Sequence, residues 1–468
     1  MAEEGRNPQL QECRPEFIDI FAGCGGLSLG LMQAGWKGLF AIEKSPMAFN
    51  TLKYNLIDQK DRWQFEWPKW LPTEAIDVEK FIETYSDELE KLKGILLLAG
   101  GPPCQGFSRA GKRKSDDERN QLVERYLQLV ELLEPKIVLI ENVSAFAKDF
   151  DRTERGKNGV GTQGDPFNAD KELQQALRDL NYYPFVQQVL RAKDFGVPQL
   201  RPRYILIAIR QELFSNNSKL NPFQVLSNLR PKFLSEYDLP ANREVTLEEA
   251  ISDLLKSHGS VTCIEPKMKN FQQGLYGPVS GPYQCLMRKD RNGKIIAEGE
   301  IADSHRFPNH KPKTVERFKR IIAEFRPGRQ LSEEELKLLE LNKHRIAPLA
   351  PNEACHTLTG LPDDLVHYCE PRIPTVREYA RIQSFPDWFE FKLNYTTGGE
   401  RRQVEVPRYT QAANAVPPLL AEALGKALLQ VYRDLINTTQ NSQHNNRNQM
   451  DLNRLSTQLK LPFEKIHL

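Results

Sequence analysis

Residues 17–28 read FIDIFAGCGGLS. A short apolar run, Phe17 to Phe21, passes through Gly23, Cys24, Gly25 and Gly26 into a helical pattern that begins near Leu27. A strand that enters a helix through glycines lets a ligand approach the backbone at a helix amino terminus, where unpaired N–H groups point outward. The GxGxxG spacing of a nicotinamide dinucleotide site is incomplete, because Gly23 and Gly25 fit and Ser28 occupies the third position. Glu43 follows Gly23 by 20 residues, at the end of the next expected strand, Gly38 to Ile42. A carboxylate there can accept both hydroxyls of a ribose, so the pattern fits an adenosine ligand without pyrophosphate. A tight strand-to-helix turn with no ligand is the alternative.

Further along, Ile95–Ala99, Ile137–Ile140 and Tyr204–Ile209 are apolar runs of four to six residues, the length and composition of buried parallel strands. Amphipathic segments at Asn120–Leu133 and Asp170–Leu180 supply crossovers. The expected class is α/β, a doubly wound, mostly parallel sheet with a second, irregular domain. In such a sheet the carboxyl ends of the strands line one edge, where ligands bind.

Three further motifs fall at strand ends. Gly100-Gly-Pro-Pro-Cys104 holds a thiol rigidly behind two prolines, so Cys104 is a candidate nucleophile, or else a small buried hydrophobe. Glu141 opens Glu-Asn-Val after the run Ile137–Ile140 and would stand beside Cys104 and Glu43, unless it is a surface acid capping the next helix. Gln199-Leu-Arg201-Pro-Arg203 can direct one guanidinium inward and another toward a phosphate, or can be an ordinary basic strand entry.

Length and composition set the frame. The chain has 468 residues, 40% hydrophobic and 27% charged, which disfavours wholesale disorder and membrane spans. Its amino terminus lacks a signal-peptide pattern, so the expected location is cytoplasmic. Seven cysteines without clustered Cys/His spacing argue against a disulfide framework and against a metal site. With 64 basic and 62 acidic residues, the net charge of +2 does not announce a polyanion partner. Locally, Lys311–Arg329 carries seven basic residues against two acidic ones, together with an apolar stripe, and reads equally as a polyanion contact or a solvated helix face. The expected divisions are residues 1–210, a small domain over 211–395, a returning segment over 396–436 with a helix after Pro418, and a flexible polar tail over 437–468.

The motifs in this order resemble the DNA (cytosine-5)-methyltransferases of bacterial restriction-modification systems. The likeness spans roughly residues 17 to 435 and includes FAGCGG, PCQ at Cys104, ENV at Glu141, QLRPR, TVREYARIQSFPD over Thr375–Asp387 and QAANAVPP over Gln411–Pro418. It implies S-adenosylmethionine as methyl donor, no metal, and double-stranded DNA as substrate. It implies a monomer without membrane association, and leaves room for a cognate restriction endonuclease as functional partner. Residues 1–210 would then be catalytic and 211–395 would recognise the target.

By the same resemblance Cys104 attacks carbon 6 of a flipped cytosine. Glu141 shares a proton with ring nitrogen 3, which calls for a raised pKa, Arg203 contacts the ring carbonyl, and Arg201 supports Glu141 or a phosphate. Phe21, Gly23, Cys24, Gly25, Gly26 and Glu43 would bind the donor, with Asp77 on the adenine amino group, Leu122 as an apolar contact and Asn414 closing the site. Asp77 is otherwise an exposed loop acid. Residues 106–120 would form a lid, and the Thr375–Asp387 block a brace for the recognition domain. A transfer-RNA cytosine-5 methyltransferase, a nicotinamide oxidoreductase and a noncatalytic DNA-binding relative are the competing readings.

Overall fold

The computed structural model describes residues 15–59, 63–102, 121–147, 153–155, 161–163, 168–213, 220–265, 268–343, 345–397, 401 and 404–437. Cys104, the 106–120 segment and the tail beyond 437 lie outside the described residues.

Strands β1 (Glu16–Ile20), β2 (Lys37–Ile42), β3 (Leu97–Gly100) and β4 (Ile137–Val143) are followed by a small hairpin, β5 (Thr153–Arg155) with β6 (Gly161–Gln163), then by β7 (Tyr182–Arg191) and β8 (Pro202–Arg210). The central sheet has the order β2-β1-β3-β4-β8-β7. Its parallel strands are buried on both faces, as their continuous aliphatic runs require.

Leu97 and Ala99 face one hydrophobic cluster and Leu98 the other, the period-two alternation of a strand. The first cluster packs helices α1 (Gly26–Gln33), α2 (Pro46–Leu56) and the helix over 418–437 on one side. The second packs α3 (Val78–Glu90), α4 (Gln121–Leu133) and α5 (Ala169–Asp179) on the other. The α/β, doubly wound class is therefore the observed one.

Two strand expectations need correction. Tyr204–Ile209 lies in β8, which runs antiparallel to β4 and β7. Residues 192–201 joining β7 to β8 are too few for a crossover helix, so the chain can only turn back. Strand β4 also continues through Val143, so Glu141 sits inside the ladder, opposite Ile205, and not after the strand end.

Register fixes the working edge. Ile42 lies abreast of Ile20, Ile20 of Gly100, and Gly100 of Ile140. The next residues in each strand, Glu43, Phe21, Gly101 and Glu141, consequently emerge along one line.

Beyond β8, helices α6 (Pro222–Ser235), α7 (Leu247–Ile251) and α8 (Pro282–Met287) and the small antiparallel sheet of β9 (Ser260–Thr262), β10 (Gln272–Leu275) and β11 (Ile301–Arg306) contribute Phe233, Ile251, Met287 and Ala302 to the first cluster. A separate small cluster, containing Phe318, Ile321, Leu336, Val366 and Ile373, is built by α9 (Pro312–Glu324), α10 (Glu333–Leu338) and the following chain. On α9, Lys313 and Arg317 pair with Glu340, Lys319 with Glu316 and Arg320 with Glu324, which favours the solvated-face reading of that basic segment. Among the described residues, no helix is long and apolar enough to cross a membrane.

Candidate active site

At the end of β1 the chain makes the turn that the glycines permit. Phe21 has φ 62° and Gly23 and Gly25 have φ 58° and 95°, all in the left-handed region. For a bulky side chain that backbone costs about 1–2 kcal/mol, so Phe21 is strained where the strand becomes the turn. Gly26 starts α1 against the Val416 carbonyl, where a Cβ would collide. The Cys24 thiol is buried against the Gln411 carbonyl at 3.6 Å, and burial pushes it up to about 12, so its side chain is inert. Through these contacts the turn is packed directly on the segment that carries Asn414.

Glu43 accepts the Gly23 N–H at 2.9 Å and the Ser45 N–H at 2.6 Å. Burial raises its pKa, and these backbone bonds only partly oppose the shift. The Glu43 carbonyl accepts the Ile76 N–H at 2.9 Å, which brings Asp77 alongside. Asp77 caps α3 through the Glu79 N–H and pairs with Lys44 at 3.0 Å. Burial would raise its pKa, but Lys44 and the helix amides outweigh that and leave it lowered. Leu122, on α4, is half-buried against the same cluster as Phe21 and Ile76.

On β4, Glu141 Oε1 meets Arg203 Nε at 2.6 Å, with the two side chains 13% and 8% exposed. The pairing follows from the antiparallel ladder, which sets Val143 opposite Arg203. Asn142 Nδ2 donates to the Pro102 carbonyl at 2.9 Å, tying the Gly-Pro-Pro segment to β4.

Arg201 departs only in part from expectation. The Glu141 charge acts on its guanidinium, but among the described residues it makes no hydrogen bond to Glu141, and it is 1% exposed. Its guanidinium donates to the carbonyls of Ala413 and Ala415, each at 2.8 Å. Those two residues flank Asn414, the exposed last residue of α12 (Arg408–Asn414). Arg201 therefore fixes the backbone on both sides of Asn414.

Gln383, which the sequence reading did not single out, shares that task. Its Nε2 donates to the carbonyls of Ala412 and Ala413 at 2.7 and 2.9 Å, and its Oε1 accepts from Gln199 Nε2 at 2.8 Å. Gln199 Oε1 in turn accepts the Leu358 N–H at 3.0 Å. A buried amide chain thus joins Leu358, the 199–203 segment and the Asn414 loop. No local pattern marks Gln383, because the surrounding stretch TVREYARIQSFPD mixes charged and apolar residues.

Asp19 was also missed. It is fully buried beneath the turn, and its Oδ2 accepts from Ser28 Oγ at 2.5 Å. Among the described residues its Oδ1 has no hydrogen-bond partner. Burial pushes the carboxyl up to about 7, against the opposing Ser28 bond and with help from Glu43. In the unfolded chain an aspartate ionises near ~3.9, so the unfolded state loses its proton first and the fold loses stability as pH rises from about 4 to 7. Asp19→Asn keeps an acceptor for Ser28 and does not ionise. Relative to the parent it is expected to gain up to about 4 kcal/mol between pH 4 and pH 8. Urea unfolding at the two pH values measures this, and a pH-independent difference would refute the ionisation.

Among the described residues, no cluster of three or more His, Cys, Asp or Glu side chains could hold a metal ion.

Comparison with known proteins identifies the family. The model of the C-5 cytosine-specific DNA methylase family matches residues 16–430. Type II methyltransferase M.XorII of Xanthomonas oryzae pv. oryzae is 29% identical over 443 residues, covering 90% of this chain and 86% of its own length. Type II methyltransferase M.DdeI of Desulfomicrobium norvegicum is 29% identical over 424 residues, with 88% of each chain covered. A solved Escherichia coli structure, described as a prophage-encoded DNA modification methyltransferase, covers 90% of this chain and 99% of its own. Its TM-score is 0.59 at 24% identity, a likeness of fold. Together with the strand-end site, the family match over residues 16–430 establishes that the chain belongs to the C-5 cytosine-specific DNA methylase family and is a DNA (cytosine-5)-methyltransferase.

Proposed function

We propose that the chain methylates carbon 5 of a cytosine extruded from a specific duplex DNA sequence, as the modification enzyme of a restriction-modification system, with Cys104 as nucleophile. One observation carries the reading. The Arg203–Glu141 pair stands on the same sheet edge as the Gly23–Glu43 turn, and Pro102, two residues before Cys104, is tied to the neighbouring Asn142. The type II methyltransferases among the relatives support the restriction-modification part. Residues 1–210 and 396–436 would form the catalytic domain and 211–395 the recognition domain, working in the cytoplasm as a monomer.

The residues around the turn fit S-adenosylmethionine. Each Glu43 oxygen accepts one backbone N–H and keeps a lone pair for a ribose hydroxyl. Asp77 offers an acceptor beside it for an adenine amino group, and Gly25, at the N-cap of α1, has no side chain to cover the helix end. Phe21, Leu122 and Asn414 would complete the enclosure, with Cys24, Gly25 and Gly26 contributing backbone. When bound there, the donor supplies an electrophilic methyl group carried on a sulfonium.

Extruding the base costs a few kcal/mol, and residues 106–120 would close over it. Cytosine carbon 5 is a poor nucleophile until the ring is activated. The Cys104 thiolate adds to carbon 6, and the displaced electron pair moves toward ring nitrogen 3, where Glu141 delivers a proton. Arg203 holds the Glu141 carboxyl and donates to the ring carbonyl oxygen. Arg201 keeps Asn414 in place. After methyl transfer, loss of the carbon 5 proton returns an electron pair to the ring and expels the Cys104 thiolate, and the nitrogen 3 proton returns to Glu141.

The test is covalent trapping. Duplex DNA containing 5-fluorocytosine, incubated with the enzyme and S-adenosylmethionine, should yield an adduct that peptide mapping places at Cys104. Labelled methyl groups appearing in transfer RNA and not in duplex DNA would overturn the substrate assignment.

A further inference from the structure

Helix α2 starts at Pro46, just after Glu43, and its cap residue Ser45 donates its backbone N–H to the Glu43 carboxylate at 2.6 Å. The helix and the Glu43 side of the donor site are therefore one body. Facing inward from α2 are two fully buried polar side chains one turn apart, Thr51 and Asn55. Asn55 Nδ2 donates to the Glu390 carbonyl at 2.7 Å and its Oδ1 accepts the Glu390 N–H at 3.0 Å, so this amide pairs with backbone as another strand would. Thr51 Oγ1 accepts the Lys392 N–H at 3.0 Å and donates to Gln411 Oε1 at 2.6 Å.

Gln411 lies in α12, one turn before Asn414, and is 2% exposed. Its Nε2 donates to the Val406 carbonyl at 2.9 Å and to the Met47 carbonyl, in the first turn of α2, at 3.3 Å. Its own carbonyl meets the Cys24 thiol of the glycine turn. One residue thus grips α2 at two points and touches the turn. Arg201 and Gln383 hold the neighbouring carbonyls of residues 412, 413 and 415, but among the described residues neither is hydrogen-bonded to α2.

Apolar packing alone would let α12 slide along α2. A buried hydroxyl does not, because displacing either helix strands a donor or an acceptor away from water. The cluster is also complete. The Thr51 hydroxyl both donates and accepts, and the Gln411 amide uses its oxygen and both N–H hydrogens.

We propose that Thr51 and Gln411 are positioning residues for the methyl donor, whose mutual hydrogen bond fixes the gap between Glu43 and Asn414. Both are buried, so they act through those two residues and not by contact. The proposal rests on the donor site described above and adds what sets its width.

Calorimetric titration of the full chain with S-adenosylmethionine, in the absence of DNA, tests it. Thr51→Val keeps the shape and removes the hydroxyl, and should weaken donor binding by about 10-fold, the worth of one buried hydrogen bond left unmade. Thr51→Ser, which keeps the hydroxyl, should restore most of that affinity. Gln411→Met should cost at least as much as Thr51→Val, and the double variant little more than Gln411→Met alone, because the bond between them is already gone. In methylation assays the loss should fall on KM for the donor and disappear at saturating donor, with KM for duplex DNA unchanged. General destabilisation of the fold would not produce that split. Unchanged donor affinity in Thr51→Val, an equal loss in Thr51→Ser, or additive losses in the double variant would overturn the proposal. So would a Thr51→Val chain that loses donor and DNA binding together, which would show a role in the fold alone. A parent chain that binds no S-adenosylmethionine overturns the donor-site reading instead.

Discussion

Replacing Cys104 by alanine is expected to lower methyl transfer to duplex DNA by about 10⁴-fold or more, with DNA and S-adenosylmethionine binding retained. In the proposed reaction Glu141 and Arg203 would polarise the ring from the nitrogen 3 side, but neither would supply the electron pair that makes carbon 5 nucleophilic. Burial pushes Cys24 and Cys355 up to about 12, and Cys369 up to about 11, so all three are protonated at neutral pH. A labelled-methyl assay run beside a gel-shift titration separates chemistry from binding. Methylation within tenfold of the parent would remove Cys104 from the reaction. Loss of DNA binding together with activity would point to a structural role.

What the sequence disclosed, and what it did not, follows from how far each constraint reaches along the chain. The turn at Gly23 was legible because a left-handed backbone, a strand before it and a helix after it are all local demands, written within a dozen residues. Glu43 was legible because parallel pairing sets the end of β2 beside the end of β1. The direction of β8 was not. An aliphatic run declares burial without declaring orientation, and β7, with Gln187 and Gln188 on an edge, hardly resembles a strand that would force a hairpin. Arg201 was assigned to Glu141 from its neighbour's role, yet its partners are carbonyls more than 200 residues away, which no local pattern encodes. Asp19 was hidden for the opposite reason. It lies inside the stretch that was read most closely, and nothing in a strand's alternation separates a buried carboxyl from an apolar residue on the same face.

The second large effect is expected at Arg381, in the Thr375–Asp387 block. Helix α11 (Val376–Ile382) is wholly buried, although its sequence VREYARI carries two arginines and a glutamate. Burial on that scale is tolerable only if every charge is matched. Arg381 shows how completely this is met. Its Nε and Nη2 donate to the two oxygens of Asp387, each at 2.6 Å. Nη1 and Nη2 reach the two oxygens of Asp253, each at 3.0 Å, and Nη1 also donates to the Ala250 carbonyl at 2.9 Å. Desolvation alone would lower this guanidinium's pKa, but the two carboxylates outweigh it and hold it well above the ordinary value. Asp253 belongs to the region after β8 and Asp387 to the Thr375–Asp387 block, so one side chain welds the two together. Arg381→Leu would leave both carboxylates fully buried without their fork, and the expected loss is about 3–5 kcal/mol of unfolding free energy, measured by urea denaturation. Arg381→Lys should recover only part of it, because an ammonium has no planar fork with which to bind two carboxylates at once. A loss under about 1 kcal/mol for Arg381→Leu, the range of an exposed ion pair, would mean that water reaches the cluster and that the weld is not closed.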